Sequence, residues 1–440
     1  KALGYGGGAA LPMQIVNATA GALGVALFFA IVRRVTRQTV LALAAAMLLG
    51  GAYAYWYYAV EIEVYTVATL FLLICLDLLI RQIEEPSRHR MFMIGLAQGG
   101  AILFHQTNVL FSMPLAAALL TLPERTGGWR KRLHGWWLYL LALALAVSLP
   151  YLFVGVIVSG FRTWHDFVAW STSYASVGLW GGSITARKWA DLGAGLADTL
   201  AQPGGAVLWL LLAGLVLARF RDLLQASRAL VGALVTWLLV YGAFFLWWEP
   251  HNIEFWIASL PAALLLVALA LRSEQRSEPG ILIVLAVAIC VLGLNRVAII
   301  RRGDPNTDHV RVLARALGEQ SGEADLLLVP DGPLELYLPY YEHRYNHLSI
   351  RRAFLESGEV WENTCGAVRA RIEAAREAGA AVLVADEVLH PALPWLERHH
   401  LEQAQIDACF APYREALRPL SMPASAPPYW RLAGKEEGDG

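Results

Sequence analysis

Long apolar blocks alternate with short polar connectors up to about residue 300, and then the chain changes character. Apolar segments run at 11–32, 39–59, 63–82, 91–104, 108–122, 136–158, 205–219, 229–247, 253–271 and 280–298. A helix needs about 20 apolar residues to cross the hydrocarbon core of a bilayer. The pattern therefore predicts a polytopic α-helical membrane protein with about ten helical segments, one pair of them forming a short hairpin. From about 303 onward the text reads as ordinary soluble protein, with a buried strand at 325–330, a charged helix at 359–378 and a second strand at 380–386. Strand, helix, strand predicts a parallel βαβ unit. The expected division is a transmembrane core at 1–300, containing a long outer loop at 159–204, and a small extracytoplasmic α/β domain at 301–440.

Basic residues orient the segments. Arg33, Arg34 and Arg37 follow the first segment, and Arg81, Arg88 and Arg90 follow the third. Arg125, Arg130, Lys131 and Arg132 precede the sixth, Arg219, Arg221 and Arg228 separate the seventh and eighth, and Arg272 and Arg276 separate the ninth and tenth. All of these fall on one side, the cytoplasmic one, if 91–122 goes in and out as two short helices broken near His105-Gln106-Thr107-Asn108. Arg301 and Arg302 oppose the scheme mildly. It places Glu61 and Glu63, the H-Q-T-N break, the 159–204 loop and W-W-E-P-H-N at 247–252 together on the outer face. Within the loop, Phe161, Trp164, Phe167 and Trp170 are spaced to share one face of a helix lying in the membrane interface. The stretch S-V-G-L-W-G-G-S that follows reads as irregular.

Composition narrows the class. Hydrophobic residues make up 57% of the 440 and charged ones 16%, against about 25% charged in a typical globular domain. The formal net charge of −1 carries no basic excess, and no nucleic-acid partner is expected. No glycine fingerprint follows either predicted strand, so no nucleotide cofactor is expected. Cys75 and Cys290 lie in apolar segments; Cys365 and Cys409 lie in the polar tail, where their pairing depends on the compartment. The first twelve residues, K-A-L-G-Y-G-G-G-A-A-L-P, read as the tail of a loop, which makes the chain an expected fragment lacking a first span and first outer loop.

Candidate chemistry sits in the polar interruptions, because an ionised group at bilayer depth is costly unless it has a partner or a cavity. Glu61 and Glu63 are two apart and point about 200° from each other on a regular helix. Both serve one site only if the chain is irregular at Glu61. Glu63 is then the cavity residue, placed to orient a polar ligand or help hold a divalent cation, and Glu61 caps the helix N-terminus. Helix capping and interface solvation would also account for the pair. His105 and Asn108 suit hydrogen bonding to a polar ligand, or an interface turn with Asn108 as cap. Trp248, Glu249 and His251 suit lining a binding site, although tryptophans at a membrane face are commonly anchors. Arg187 and Lys188 are candidate phosphate partners, or simply solvated. Tyr53, Tyr55, Trp56, Tyr57 and Tyr58 read as interface-belt residues.

Three stretches carry a family resemblance: V-E-I-E-V-Y-T-V-A-T-L at 60–70, G-L-A-Q-G-G-A-I-L-F-H-Q-T-N at 95–108, and W-W-E-P-H-N-I-E-F-W-I-A-S-L-P at 247–261. With the span pattern they resemble the GT-C superfamily of membrane glycosyltransferases, in the branch similar to protein O-mannosyltransferases. The resemblance implies transfer of a sugar from a polyprenyl-phosphate donor to a protein or glycan acceptor, on the outer face of what is expected to be a bacterial inner membrane. It also implies a catalytic base in the first outer loop, expected upstream of Lys1, which leaves Glu63 and Glu61 in supporting roles and the fragment alone inactive. A membrane transporter and a non-catalytic membrane scaffold are the competing readings. The first would place charged residues at the midplane of broken helices, and the second would keep the fold without an outer-loop acid.

Overall fold

An apolar segment inside a bilayer has to satisfy its own peptide groups, and a helix does this within one stretch of chain. The apolar blocks fold accordingly. The computed structural model describes residues 10–121, 129–176, 181–272, 278–330, 332–423 and 426–433. Most of the 1–12 stretch, Arg125, Arg276 and residues 177–180 of the glycine-rich stretch lie outside the described residues. The chain divides into two units, Lys1–Ile299 and Ile300–Gly440.

In the first unit, helices α1 (Ala10–Thr36), α2 (Thr39–Gly51), α3 (Tyr53–Val60) and α4 (Tyr65–Glu84) are followed by α5 (Arg88–Phe104). A 3₁₀ turn at Gln106–Phe111 leads to α6 (Ser112–Leu120). Next come α7 (Trp129–Leu152, continued by a π-helical turn at Phe153–Val158), α8 (Trp164–Ser176), α9 (Ala186–Leu200) and α10 (Gly205–Ala218). The unit closes with α11 (Phe220–Leu224), α12 (Arg228–Trp248), α13 (Ile253–Trp256), α14 (Leu260–Ala270) and α15 (Glu278–Arg302). Among the described residues six helices are long and apolar enough to cross a membrane, or up to eight if each bent pair counts as one span. The 91–122 region breaks at His105, into α5 and the shorter apolar stretch Gln106–Leu120.

The two bent pairs are α2–α3, at 60°, and α9–α10, at 87°. A bend strands peptide groups that water cannot reach, and one side chain answers both. Asn295 of α15, fully buried, donates to the carbonyls of Gly51 (2.8 Å) and Leu200 (2.9 Å) and accepts from the Gln202 amide at 3.1 Å. The sharper bend also uses Gly204, whose φ of 92° lies in the left-handed region that glycine enters freely. Elsewhere helices approach through small residues, as membrane helices do. A Cβ on Gly95 would sit 2.4 Å from the Tyr139 carbonyl, and one on Gly99 would sit 2.4 Å from the Ala146 Cβ, so this G-x-x-x-G face lets α5 lie directly against α7.

The aromatic run at 53–58 departs from the expected belt. Tyr53 and Tyr55 are buried, because the α2–α3 bend turns this segment into the core, and the Tyr55 hydroxyl donates to the Gly21 carbonyl at 2.9 Å. A helix does form at the aromatic-spaced stretch, as α8; the Phe161 ring just before it clusters with Phe167 and Trp170, and Trp164 stacks on Phe167.

The second unit carries a five-stranded sheet in the order β2-β1-β3-β5-β4. Strands β1 (Leu326–Val329) and β3 (Val382–Ala385) are the predicted pair, parallel and wholly buried, with a helix at Trp361–Glu377 between them in sequence. Three strands went unpredicted: β2 (His347–Ser349), parallel to β1, and β4 (Arg418–Pro419) and β5 (Tyr429–Leu432), which extend the other edge antiparallel. Each is too short to show an alternating pattern. Cys365 and Cys409 form a disulfide with Cα atoms 5.7 Å apart.

Replacing Asn295 with leucine removes two buried hydrogen bonds and one half-buried one at two bends. The expected loss is about 2–4 kcal/mol, since each stranded buried group costs about 1–3 kcal/mol and membrane hydrogen bonds sit toward the low end. Thermal unfolding of purified Asn295→Leu protein in detergent measures it, and an unchanged Tm would contradict this role.

Candidate functional site

The site forms where α3 stops short of α4. Residues 61–64 are irregular, and Glu61 is extended, with φ −90° and ψ 171°. What holds them is Asn17 of α1, a buried amide that donates to the carbonyls of both Glu61 (2.6 Å) and Glu63 (2.5 Å). A regular helix would use those carbonyls itself, so the amide stabilises the gap. Glu61 therefore follows the C-terminus of α3 instead of capping α4, whose N-cap position is Val64, with no side-chain bond. The irregularity frees the two carboxylates from the 200° separation a helix would impose.

A third carboxylate arrives from the W-W-E-P-H-N-I-E stretch. Asn252 caps α13 by accepting from the Glu254 amide, and its Nδ2 donates to Glu254 Oε1 at 2.7 Å. The Tyr58 hydroxyl donates to Glu254 Oε2 at 3.2 Å, and the Tyr65 hydroxyl also bonds this carboxylate. Glu63 remains within reach of solvent. Its carboxyl is nonetheless held above the ordinary range, first by partial desolvation, then by the negative charge of Glu254, with a smaller contribution from Glu61.

Beside Glu254 opens a small recess with room for about one water molecule. One wall is aromatic: the His105 ring lies 5.0 Å from Tyr65 and 5.7 Å from Phe255, and Phe245 stacks on Phe255 at 5.3 Å between centroids. The other groups are polar, Thr69, Thr107 and Asn108 among them. His105 Nδ1 lies 2.5 Å from the Thr107 hydroxyl, and burial lowers the imidazole pKa to about 4, so the ring is neutral at physiological pH. Asn108 is engaged at both ends, donating to the Ala101 carbonyl at 3.1 Å and accepting from Tyr241 at 3.2 Å. Buried Gln98 completes this break by donating to the carbonyl of Asn108 and to the Ser112 hydroxyl, both at 3.0 Å.

The structure thus brings His105, Asn108 and Glu254 to one recess, with Glu63 and Glu61 electrostatically coupled at its side. Other sequence candidates lie apart from its lining. Glu249 ends α12, His251 is exposed in the following turn, and Trp248 stacks on Phe244. Lys188 donates to the carbonyls of Gly181 (2.9 Å) and Trp247, where a cation offsets the negative end of α12. Arg187 is exposed, 3.8 Å from Asp191. Among the described residues no three His, Cys, Asp or Glu side chains converge as a ready metal site. Two contributors carry signals that sequence reading passed over. Asn17 is a lone amide inside an apolar run, and Glu254 sits in a quoted motif but was assigned no role.

The opposite end of the same helices is basic. Arg34 lies 3.7 Å from Asp77 and 4.0 Å from Glu84, and Arg81 pairs with Asp77 at 2.7 Å. Asn17 and Arg34 sit toward opposite ends of α1, as do Tyr65 and Glu84 on α4, so the carboxylate site and the arginine cluster occupy opposite ends of this helix pair.

Comparison with known proteins agrees with this architecture. The profile of the family described as dolichyl-phosphate-mannose-protein mannosyltransferase matches residues 6–153, which include the E-I-E-V-Y and H-Q-T-N elements. No curated protein matches the sequence. Two solved structures of ArnT from Cupriavidus metallidurans, one bound to undecaprenyl phosphate and one in the apo state, superpose with a TM-score of 0.61. Each is 15% identical and covers 95% of this chain and 83% of its own. At that identity the likeness is one of fold.

Glu63 gives a pH-dependent test of the geometry. Its folded pKa is raised, so its ionised form opposes folding above that pKa, while below the ordinary carboxylate pKa both folded and unfolded states are protonated. Glu63→Gln is accordingly expected to raise the Tm in detergent at pH 8, with the gain disappearing as the pH falls below about 4. A lower Tm at pH 8 would show the carboxylate to be favourably paired.

Proposed function

Proceeding from a GT-C membrane core that resembles the protein O-mannosyltransferases, we propose that this protein transfers a sugar from a polyprenyl-phosphate donor to a protein or glycan acceptor on the extracytoplasmic face of a bacterial inner membrane. The observation that carries the proposal is the gathering of Glu63, Glu254 and His105 at a gap between helices, at the end of the core away from its arginine cluster. The fold supports it, because a protein of this architecture has been seen with undecaprenyl phosphate bound.

Several features favour the outer face. Arginine-rich ends of spans stay in the cytoplasm, which puts the opposite end of α1 and α4 outside. The Cys365–Cys409 bridge suits a C-terminal unit in an oxidising compartment, where disulfides persist. Exposed apolar side chains on α7 and α10, such as Leu141, Leu149, Leu210 and Leu217, suit a lipid surround.

Chemically, the reaction is displacement at the anomeric carbon. The acceptor hydroxyl gives its proton to a general base as its oxygen forms the new bond, the bond to the phosphate oxygen breaks, and the phosphate leaves with the electron pair. Glu63 serves in this reading as a positioning group for the acceptor hydroxyl, since a carboxylate at the mouth of a low-dielectric gap accepts strongly from an O–H. Glu61 assists by shaping the local field. His105, Asn108, Glu249, His251 and Trp248 are assigned to the donor and acceptor surroundings. Of Arg187 and Lys188 on the neighbouring α9, exposed Arg187 is the cation assigned to a phosphate on this face, and Lys188 supports it by holding the adjoining backbone carbonyls. A divalent cation, if the enzyme uses one, would find one or two carboxylates here and complete its shell with water and phosphate oxygen.

Glu63→Gln should reduce transfer from an undecaprenyl-phosphate sugar by about a hundredfold, the scale of losing one positioned polar group at a reacting centre. Radiolabel transfer by the purified full-length protein in nanodiscs measures this, and undiminished transfer would remove Glu63 from the mechanism. For the topology, Leu336→Cys places a thiol at an exposed position of the C-terminal unit. A membrane-impermeant maleimide should label it from outside in spheroplasts; labelling only after lysis would reverse the assigned orientation.

A further inference from the structure

Asn17 lies on the face of α1 that packs directly against α3. Asn17, Gly21 and Gly24 fall at i, i+4 and i+7, and so share one side of the helix. A Cβ on Gly21 would lie 2.9 Å from the Ala59 Cβ, and one on Gly24 would collide with the Tyr55 hydroxyl. Small residues here bring the α3 backbone within reach of a short side chain one turn further on. Asn17 spends both N–H donors of its Nδ2 on that chain, at the carbonyls of Glu61 and Glu63. Helical carbonyls two residues apart point along the axis to different amides, so one side chain holds both only where the backbone between them is extended. Glu61 is extended. Extended chain repeats every two residues, with alternate carbonyls on one side and alternate side chains on one face. Holding the 61 and 63 carbonyls therefore fixes the phase of the segment. It turns the carboxylates of Glu61 and Glu63 to a common face, with Ile62 directed away from it. The interaction of Glu63 with both Glu61 and Glu254 agrees with that phase. A slip of one residue would exchange Ile62 for Glu63 on the face that meets Glu254.

We infer that Asn17 is a positioning residue for sugar transfer, which sets the direction of the Glu63 carboxylate through the backbone of 61–63. The inference rests on the role of Glu63 proposed above. Asn17 is buried, and it is not among the described residues that line the recess. Its effect on the reaction passes through the carboxylate it aims. An amide suits the task better than a charged group, because it grips two carbonyls without adding a charge beside the carboxylates.

A double-mutant cycle between Asn17→Leu and Glu63→Gln in the full-length protein tests it, read by activity and by stability. The donors are radiolabelled undecaprenyl-phosphate mannose and glucose, and solubilised membranes from a strain lacking the protein supply the acceptor. Asn17→Leu should lower kcat about a hundredfold, the scale of a small misplacement of a reacting group, and leave the donor KM within about threefold. In the Glu63→Gln background the same change should cost less than about threefold more, because both substitutions remove one interaction. Stability gives a readout that needs no substrate. The gain in Tm that Glu63→Gln brings at pH 8 should vanish beside Asn17→Leu, since a carboxylate no longer aimed at Glu254 swings into water. Asn17→Asp keeps the shape and, protonated, one O–H donor; it should lose less activity, and it serves if Asn17→Leu does not fold. Undiminished transfer by the Asn17 variants, losses that multiply in the double variant, or a Tm gain that persists in it overturns the inference while Glu63 keeps its role. Undiminished transfer by Glu63→Gln alone overturns that role, and this inference with it. Absence of transfer by the wild type from either lipid overturns the donor class together with both.

Discussion

Buried carboxamides at the points where helices break are the interaction on which this core depends. In hydrocarbon a stranded carbonyl has no water to turn to, so a break persists only where protein satisfies it. Asn17 does this between α3 and α4, Gln98 and Asn108 do it between α5 and α6, and Asn295 does it at two bends together. An amide suits the task because it carries donors and an acceptor on one planar group and needs no counter-charge. Each of these four side chains is nearly or wholly inaccessible to solvent.

The site is a consequence of those breaks. Were 61–64 helical, Glu61 and Glu63 would diverge, and Tyr65 would not stand at a helix start beside Tyr58 and Glu254. Because Asn17 holds the backbone open, Glu63 comes within electrostatic reach of both Glu254 and Glu61, with no lysine or arginine among the described residues that line the recess. Partial burial, and then this crowding of negative charge, hold the Glu63 pKa above the ordinary carboxylate range. The arginines that would relieve the repulsion are committed to Asp77 and Glu84 at the far end of α1 and α4. Charge is thus segregated along the same two helices, with the arginine pairs at one end and the carboxylates at the other.

Much of the core was legible because membrane helices announce themselves by length and apolarity. The ends of α4, α12 and α15 fall within a few residues of the expected segments, and the H-Q-T-N interruption marks a true break at His105. The second unit was legible only in its buried parallel strands. β2, β4 and β5 escaped because two to four residues carry no period, and their strand character comes from the partners they pair with. The tyrosines at 53–58 were misplaced for a related reason. Composition alone cannot tell an interface belt from a segment that a 60° bend turns inward.

The chain by itself determined that this is a polytopic membrane protein with polar interruptions at definite places, because hydropathy and charge are properties of consecutive residues. It singled out Glu63, His105 and the W-W-E-P-H-N stretch as candidates for chemistry, without Glu254. Only the tertiary structure decided which of them meet. Glu63 and Glu254 are nearly two hundred positions apart in sequence, and their encounter depends on Asn17 of a third helix holding one loop open and on Asn252 seating the other. Lys188 was diverted to backbone carbonyls in the same way. Side-chain partnership across distant segments is set by which peptide groups the fold leaves unsatisfied, and that is known only once the helices are packed.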